Sequence, residues 1–215
     1  MEMIVTKLEP YPKGKGRVSV YLNDRFAFVL YKGELSQYGI EEGIVMDDAF
    51  YERILNGTLI LRAKKRAMNL LMTTDRTESD VRRRLDDGGY PQEAVDAAID
   101  YLKSFHYIDD RRYAGEYIRF KSSSMSRKQM TLKLMQKGID KDIIGQAFSD
   151  QESEGGVSAR EGERELIRRL IAKRHPAGVA LLDNAARQKL FAYLYNKGFA
   201  ISEIESVYSE MSSDG

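Results

Sequence analysis

The chain has 215 residues, which is long for one small core and suits two or three compact units. With 31% charged residues and no apolar run of membrane length it reads as a soluble protein, and the absence of Cys excludes disulfides, thiolate metal sites and a Cys nucleophile. Net charge is +1 but uneven (7 basic against 9 acidic side chains over 1–60, 18 against 15 over 61–152, 9 against 9 over 153–215), so any nucleic-acid contact must come from local clusters and not from a bulk field.

The opening Met1-Glu2-Met3-Ile4-Val5-Thr6 has neither a basic start nor a long apolar stretch, so no signal peptide is expected and a cytoplasmic location is. Arg17 to Leu22 and Arg25 to Leu30, rich in β-branched and aromatic residues, predict two strands around an Asn23-Asp24 turn. Ile4 to Leu8 supplies a third strand. Gly33, Gly39 and Gly43 interrupt the next stretch of chain, and Asp47 to Leu55 predicts a short helix ending at Asn56-Gly57. Residues 1–58 are therefore expected to form a small β-rich domain.

From about residue 60 the pattern is helical and repeats. Aligned on Gly89, Gly138 and Gly198, the chain places Leu85, Leu134 and Leu194 four residues earlier, and Val81, Met130 and Leu190 eight earlier. Tyr90, Ile139 and Phe199 come directly after. Val95, Ile144 and Ile204 stand six residues later, and Ile99, Phe148 and Tyr208 ten later. The spacing predicts a helix closed by glycine at C′, with the next apolar residue at C″ folding onto the Leu at C3, then a second helix with one apolar stripe. Thr77 with Asp80 and Ser126 with Gln129 match capping boxes, and the third such helix is expected to start at Asp183. A further helix precedes each cap, carrying Ala63, Ala67, Leu70 and Leu71, then Tyr113, Tyr117 and Phe120, then Leu166, Ile167, Leu170 and Ile171. The fold class is mainly α: three tandem three-helix repeats (59–110, 111–152 and 158–212) in an elongated array behind the β-rich start. Gln151 to Ser158 reads as a linker, and His175-Pro176-Ala177-Gly178 as an insertion in the third repeat.

The segment Tyr101-Leu102-Lys103-Ser104-Phe105-His106-Tyr107-Ile108-Asp109-Asp110-Arg111-Arg112-Tyr113-Ala114 resembles the signature of the RecX family. So do Arg62-Ala63 with Ala67, Leu70-Leu71 and Asp75-Arg76-Thr77-Glu78-Ser79, and Leu134-Met135-Gln136-Lys137-Gly138-Ile139. The third repeat is similar mainly through Asn196-Lys197-Gly198-Phe199. Where the family often has Gly-Pro at the second helix start, this chain has Ser126-Arg127. The resemblance implies a regulator that binds RecA–single-stranded DNA filaments and dampens ATP hydrolysis, strand exchange and co-protease activity, with direct contact to single- or double-stranded DNA as a further property; the chain is expected to be a monomer. The alternative reading is a sequence-tolerant DNA-binding protein built from three-helix modules.

The repeat register assigns directions to the remaining side chains. Arg82, Arg83 and Arg84 lie between Val81 and Leu85 and point away from the core or flank it; the equivalent positions hold Thr131, Leu132 and Lys133, then Phe191, Ala192 and Tyr193. A cationic face suits phosphates or acidic protein patches, whereas Leu132 and Phe191 suit a buried contact with a partner, or packing on Val179, Leu181 and Leu182. Arg119, Lys121, Arg127 and Lys128 form the least neutralised basic stretch. The candidate partner-binding residues are thus Arg82, Arg83, Arg84, Arg119, Lys121, Arg127, Lys128, Leu132 and Phe191. Asp109-Asp110 reads as helix capping. No cofactor, metal or membrane partner is expected. His106 and His175 lack ligand spacing, no phosphate loop or nucleophile elbow is present, and Gly14-Lys15-Gly16 reads as a turn.

Overall fold

The computed structural model describes residues 2–153, 159–180 and 182–213. Two compact units divide the chain, Met1–Asp109 and Asp110–Gly215.

In the first unit, β1 (Met3–Pro10), β2 (Arg17–Leu22), β3 (Arg25–Tyr31) and β4 (Val45–Met46) form an antiparallel sheet in the order β3-β2-β1-β4. Asn23 and Asp24 adopt φ of 48° and 64°, the left-handed pair that a two-residue hairpin turn requires. Their side chain and backbone are tied down by β1: Asn23 Oδ1 accepts from the Ile4 N–H at 2.8 Å and Thr6 Oγ1 from the Asp24 N–H at 2.9 Å.

Two expectations for this region need correction. Gly33 does not break the chain but sits inside α1 (Lys32–Tyr38), which Gly39 ends in the left-handed conformation. Nor does Asn56-Gly57 end a helix. From α2 (Asp48–Ile54), capped by Asp47 accepting from the Phe50 N–H at 2.7 Å, the chain passes through a π-helical segment (Leu55–Leu59) directly into α3 (Ile60–Leu71). The wider turn keeps Ile54, Leu55, Leu59 and Ala63 all buried, which outweighs the poor helix propensity of Asn-Gly. Asn56 also satisfies its own amide locally, on Glu52.

The first three-helix module continues with α4 (Glu78–Asp86) and α5 (Gln92–Ser104). Its apolar stripes and those of the sheet form one cluster: Val20, Phe28 and Leu30 meet Leu59, Ala63, Leu85 and Ile99. The β-rich start and the first module therefore share a core. Val29, on the opposite face of β3, is buried as well, because the first glycine turn packs on its side chain; its N–H donates to the Gly89 carbonyl at 2.9 Å.

The second unit holds two modules, α6 (Asp110–Lys121), α7 (Arg127–Gln136) and α8 (Lys141–Ser153), then α9 (Ala159–Arg174), α10 (Asn184–Asn196) and α11 (Ile201–Ser213). Each has its own core, around Ile118, Leu134 and Phe148 and around Ile167, Leu194 and Ile204. Of the expected linker, Gln151 to Ser153 complete α8, while 154–158 lie outside the described residues, as does Leu181.

The three glycine turns are Schellman motifs in every bond. Tyr90, Ile139 and Phe199 N–H groups donate to the carbonyls of Leu85, Leu134 and Leu194 at 3.4, 3.2 and 3.3 Å; the Gly89, Gly138 and Gly198 N–H groups donate to Asp86, Met135 and Tyr195 at 2.9, 2.9 and 2.8 Å. The glycines have φ of 78°, 82° and 86°. Thr77, Ser126 and Asp183 cap α4, α7 and α10 as expected. Of the stripe expected on α6, Tyr113 and Tyr117 pack partly buried against the core beside Ala114 and Ile118, and only Phe120 is corrected, being 82% exposed. At 100° per residue Phe120 lies 200° from Ile118, so one face cannot hold both.

Candidate partner-binding surfaces

The Arg triplet of α4 is held by carboxylates on its own module. Arg82 bridges Glu78 at 2.7 Å and Asp96 at 2.5 Å. Arg83 and Arg84 both reach Asp80, at 2.5 and 2.9 Å, and Arg76 joins them at 2.7 Å. Burial pushes the Asp80 carboxyl up, but hydrogen bonds from Arg83, Arg84 and Arg76 outweigh it and hold this group well below the usual carboxylate range. Three guanidinium groups on one carboxylate leave the cluster cationic, with Arg83 the most exposed of them. The triplet is thus organised by neighbouring acids and not presented as three free charges.

In the second unit the basic stretch splits. Arg127 turns inward: its guanidinium lies 4.3 Å over the Phe148 ring and 3.0 Å from Glu152, and its N–H donates to Glu163 at 2.6 Å. Arg119 and Arg127 line one cavity of about 350 Å³ together with Glu163 and Arg169. Burial raises the Glu163 carboxyl, and the Arg127 N–H and charge offset this only in part. Lys121 lies 5.6 Å over the ring of exposed Phe120.

Lys128 points outward with Leu132. The two are four residues apart on α7, and Met135 extends the same line at i+7, opposite the buried Met130 and Leu134. Leu132 is 51% exposed and Met135 47%. Lys128 lies 5.9 Å over the ring of Tyr195, itself exposed on α10. The result is a cationic and apolar line along the second module's middle helix, with the aromatic Tyr195 beside its start. Met135 and Tyr195 do not stand out in the sequence, although the register that singles out Leu132 also turns Met135 outward.

Phe191 is placed differently. It is half-buried on the core of its own module, edge-on to Tyr208 at 5.4 Å and covered by Arg187 at 5.1 Å. Among the described residues no three His, Asp or Glu side chains are placed to hold a metal ion, and no helix is long and apolar enough to cross a membrane.

Comparison with known proteins agrees with this architecture module by module. Family models for the first, second and third three-helix domains of RecX match residues 63–102, 109–147 and 161–208. Among curated relatives, Regulatory protein RecX of Clostridium acetobutylicum is 28% identical over 99% of this chain and 98% of its own length. That of Caldanaerobacter subterraneus subsp. tengcongensis is 28% identical over 94% and 97%. A crystal structure of regulatory protein RecX aligns with TM-score 0.61 and 28% identity, covering 99% of this chain and 100% of that one. RecX from Lactobacillus salivarius, at TM-score 0.58 and 23% identity over 71% and 96%, supports the fold alone. Three modules in the family's own order, each built on the same glycine-closed turn, establish that this chain belongs to the RecX family of regulatory proteins.

Proposed function

We propose that this protein is a non-enzymatic, monomeric, cytoplasmic regulator that binds RecA–single-stranded DNA filaments and restrains their ATPase, strand-exchange and co-protease activities. The observation that carries this reading is the match of all three modules, in order, to the three RecX domains. A filament is a polymer of identical subunits. A chain of reiterated modules meets it with reiterated contacts, and linked weak contacts gain affinity through effective concentration.

The principal contact in this reading is the outward line of α7, Lys128, Leu132 and Met135, with Tyr195 beside it. It sets an unburied apolar anchor and an aromatic beside a cation; Met and Tyr are residue types enriched at interface cores, and the cation suits the polar rim. Arg119 and Lys121 on α6 add charge, as do Arg82, Arg83 and Arg84 on the first module. Phe191 packs on its own module, and Arg127 is engaged by Glu152 of its module and by Glu163 of the next.

The test is the single-stranded-DNA-dependent ATPase of a cognate RecA, measured while this protein is titrated. Slowing at or below one protein per recombinase is expected, whereas an unchanged rate at excess protein refutes the proposal. Salt separates this reading from DNA binding alone, since phosphate contacts lose affinity steeply with ionic strength and an apolar-anchored contact loses less.

A further inference from the structure

The cavity of about 350 Å³ in the second unit is lined from five segments: α6, the loop after it, α7, α8 and α9. Its size is in the range that holds a small organic ligand. Ile118, Met125, Met130 and Phe148, all of the second module, make much of its wall apolar. Gly162 on α9 leaves room on the facing side, since no heavy atom lies within 4 Å of where its side chain would begin.

Charge around the cavity is unevenly settled. Each of its three carboxylates has a partner: Glu152 is 3.0 Å from Arg127, Glu163 accepts from the Arg127 N–H at 2.6 Å, and Glu165 is 3.4 Å from Arg168. The arginines at positions 119 and 169 are not matched in this way. No carboxylate among the described residues engages either guanidinium, and Arg169 gives one N–H to the Ser123 carbonyl at 3.0 Å. The Ser123 hydroxyl has no hydrogen-bond partner among the described residues. Two exposed guanidinium groups and a hydroxyl thus keep spare donors beside an apolar recess.

Guanidinium forks suit an oxyanion, and hydrogen bonds to a charged acceptor are stronger than neutral ones. An apolar wall alone would accept any hydrophobe, and bare arginines any anion. The two together select a ligand that carries both features, the usual composition of a small-molecule pocket. The three carboxylates count against a polyanion, because each further negative charge would meet one of them. A single anionic head is what the two arginines can serve.

We infer that this cavity binds a small amphipathic organic anion, an aryl or short alkyl body with one carboxylate or phosphate. Arg119, Arg169 and Ser123 hold the head, and Met125, Met130 and Phe148 receive the body. The ligand touches the second and third modules at once and so stabilises their junction. The inference does not depend on recombinase binding, and its test contains no recombinase. The probe is 1-anilinonaphthalene-8-sulfonate, an anionic head on an aromatic body, whose fluorescence is titrated with the full chain, Arg169→Gln and Gly162→Leu. Gln removes the charge and keeps a donor for the Ser123 carbonyl. Leu fills the recess from α9 and favours the helix. Melting curves check the fold of both.

Saturation at one dye per chain is expected, with Kd raised about tenfold in Arg169→Gln by the loss of one charged hydrogen bond. Gly162→Leu should not bind. Octanoate or octyl phosphate should displace the dye and raise the melting temperature of the parent but not of Gly162→Leu. Inorganic phosphate and octanol, at the same concentration and ionic strength, should do neither, as each carries one half of the ligand. Parental affinity in either variant would overturn the inference. So would binding that never saturates, displacement by neither amphiphile, or equal displacement by octanol or by inorganic phosphate, which would mark an unselective apolar surface and a simple anion site respectively.

Discussion

The Ser126 hydroxyl donates a 2.7 Å hydrogen bond to the carbonyl oxygen of Lys197, 71 residues further along the chain. The Ser126 hydroxyl oxygen also accepts from the Gln129 N–H at 3.2 Å and so caps α7. The start of the second module's middle helix is thereby fitted onto the end of the third module's. The two macrodipoles meet positive to negative, a favourable arrangement. Arg127 N–H to Glu163 and Arg169 to the Ser123 carbonyl at 3.0 Å complete a polar junction between two separate apolar cores.

Ser126→Ala removes both the cap and the link, and Ser126 is fully buried, so a cost of about 1–2 kcal/mol is expected. Glycine substitutions should cost more. A Cβ at Gly198 would stand 2.7 Å from Ser126 Oγ, and one at Gly89 would stand 2.3 Å from Val29 Cγ2, on top of about 1–2 kcal/mol for the left-handed backbone. Urea unfolding of Ser126→Ala, Gly198→Ala and Gly89→Ala measures the series. Parental stability in Gly89→Ala would contradict the packing of the first turn against β3.

Arg62 is the second structural keystone, and it belongs to the first unit alone. Its guanidinium pairs with Glu34, donates to the Val29 carbonyl and lies between Tyr31 and Tyr90. Glu34 also accepts from the Tyr31 N–H at 2.7 Å, so one arginine joins α1, β3 and α3. Arg62→Ala leaves that partly buried carboxylate unpaired and is expected to cost about 2–3 kcal/mol. Arg62→Lys should recover less than half of the loss, because a point charge cannot span a carboxylate, a carbonyl and two ring faces. Denaturant titration of both variants decides the matter. Full rescue by Lys would reduce the site to simple charge pairing.

How legible each feature is in the sequence depends on how local its signal is. The Schellman turns are closed by contacts between residues five positions apart, and Gly at C′ with an apolar C″ states that geometry almost directly. On α6 three aromatics outshine Ala114 and Ile118 in the sequence. Burial follows the helix register and not side-chain size, so Phe120 stays outside. The π segment is hidden because Asn56-Gly57 is a strong local turn signal that only the tertiary burial of Leu55 and Leu59 overrides. β4 has two residues and exists through its pairing with β1. For the candidate surfaces, the register correctly turns Leu132 outward. The pairing of Arg82 with Asp96 and the fold of Lys13 and Arg17 onto the first glycine turn are contacts between distant segments, which no local pattern reports.

Glu163 gives a pH dependence with a definite sign. Burial raises its carboxyl above the ordinary 4.5, and the hydrogen bond and charge of Arg127 offset only part of this. Between the ordinary and the raised value the folded chain holds more protons at this group than the unfolded chain does. Its contribution to stability therefore falls as pH rises through that window and is flat at the lower level above it. Glu163→Gln keeps an oxygen acceptor for the Arg127 N–H and is neutral throughout. It should melt higher than the parent at pH 7, with the difference shrinking as pH falls toward 4. Calorimetry across that range checks this, and a variant that melts lower at pH 7 would show that the carboxylate charge itself supports the junction.

Substitution can tell the two candidate surfaces for the filament apart. The arginines of α4 are engaged: Arg82 holds two carboxylates, and Arg83 and Arg84 share Asp80. Releasing such a side chain to a partner means giving up an existing ion pair, so the net gain is small. Lys128, Leu132 and Met135 have no such prior engagement in the interior of their module, and burying Leu132 against a partner recovers roughly 1.5–3 kcal/mol of transfer free energy. Leu132→Asp, and Lys128→Glu with it, should therefore raise the protein concentration needed for half-inhibition of RecA ATPase by at least tenfold with little change in melting temperature, because both residues are exposed. Arg83→Glu should shift the same curve only a few fold. If Arg83→Glu abolished inhibition while Leu132→Asp left it intact, the filament contact would belong to the first module, and the outward line of α7 would be ordinary surface.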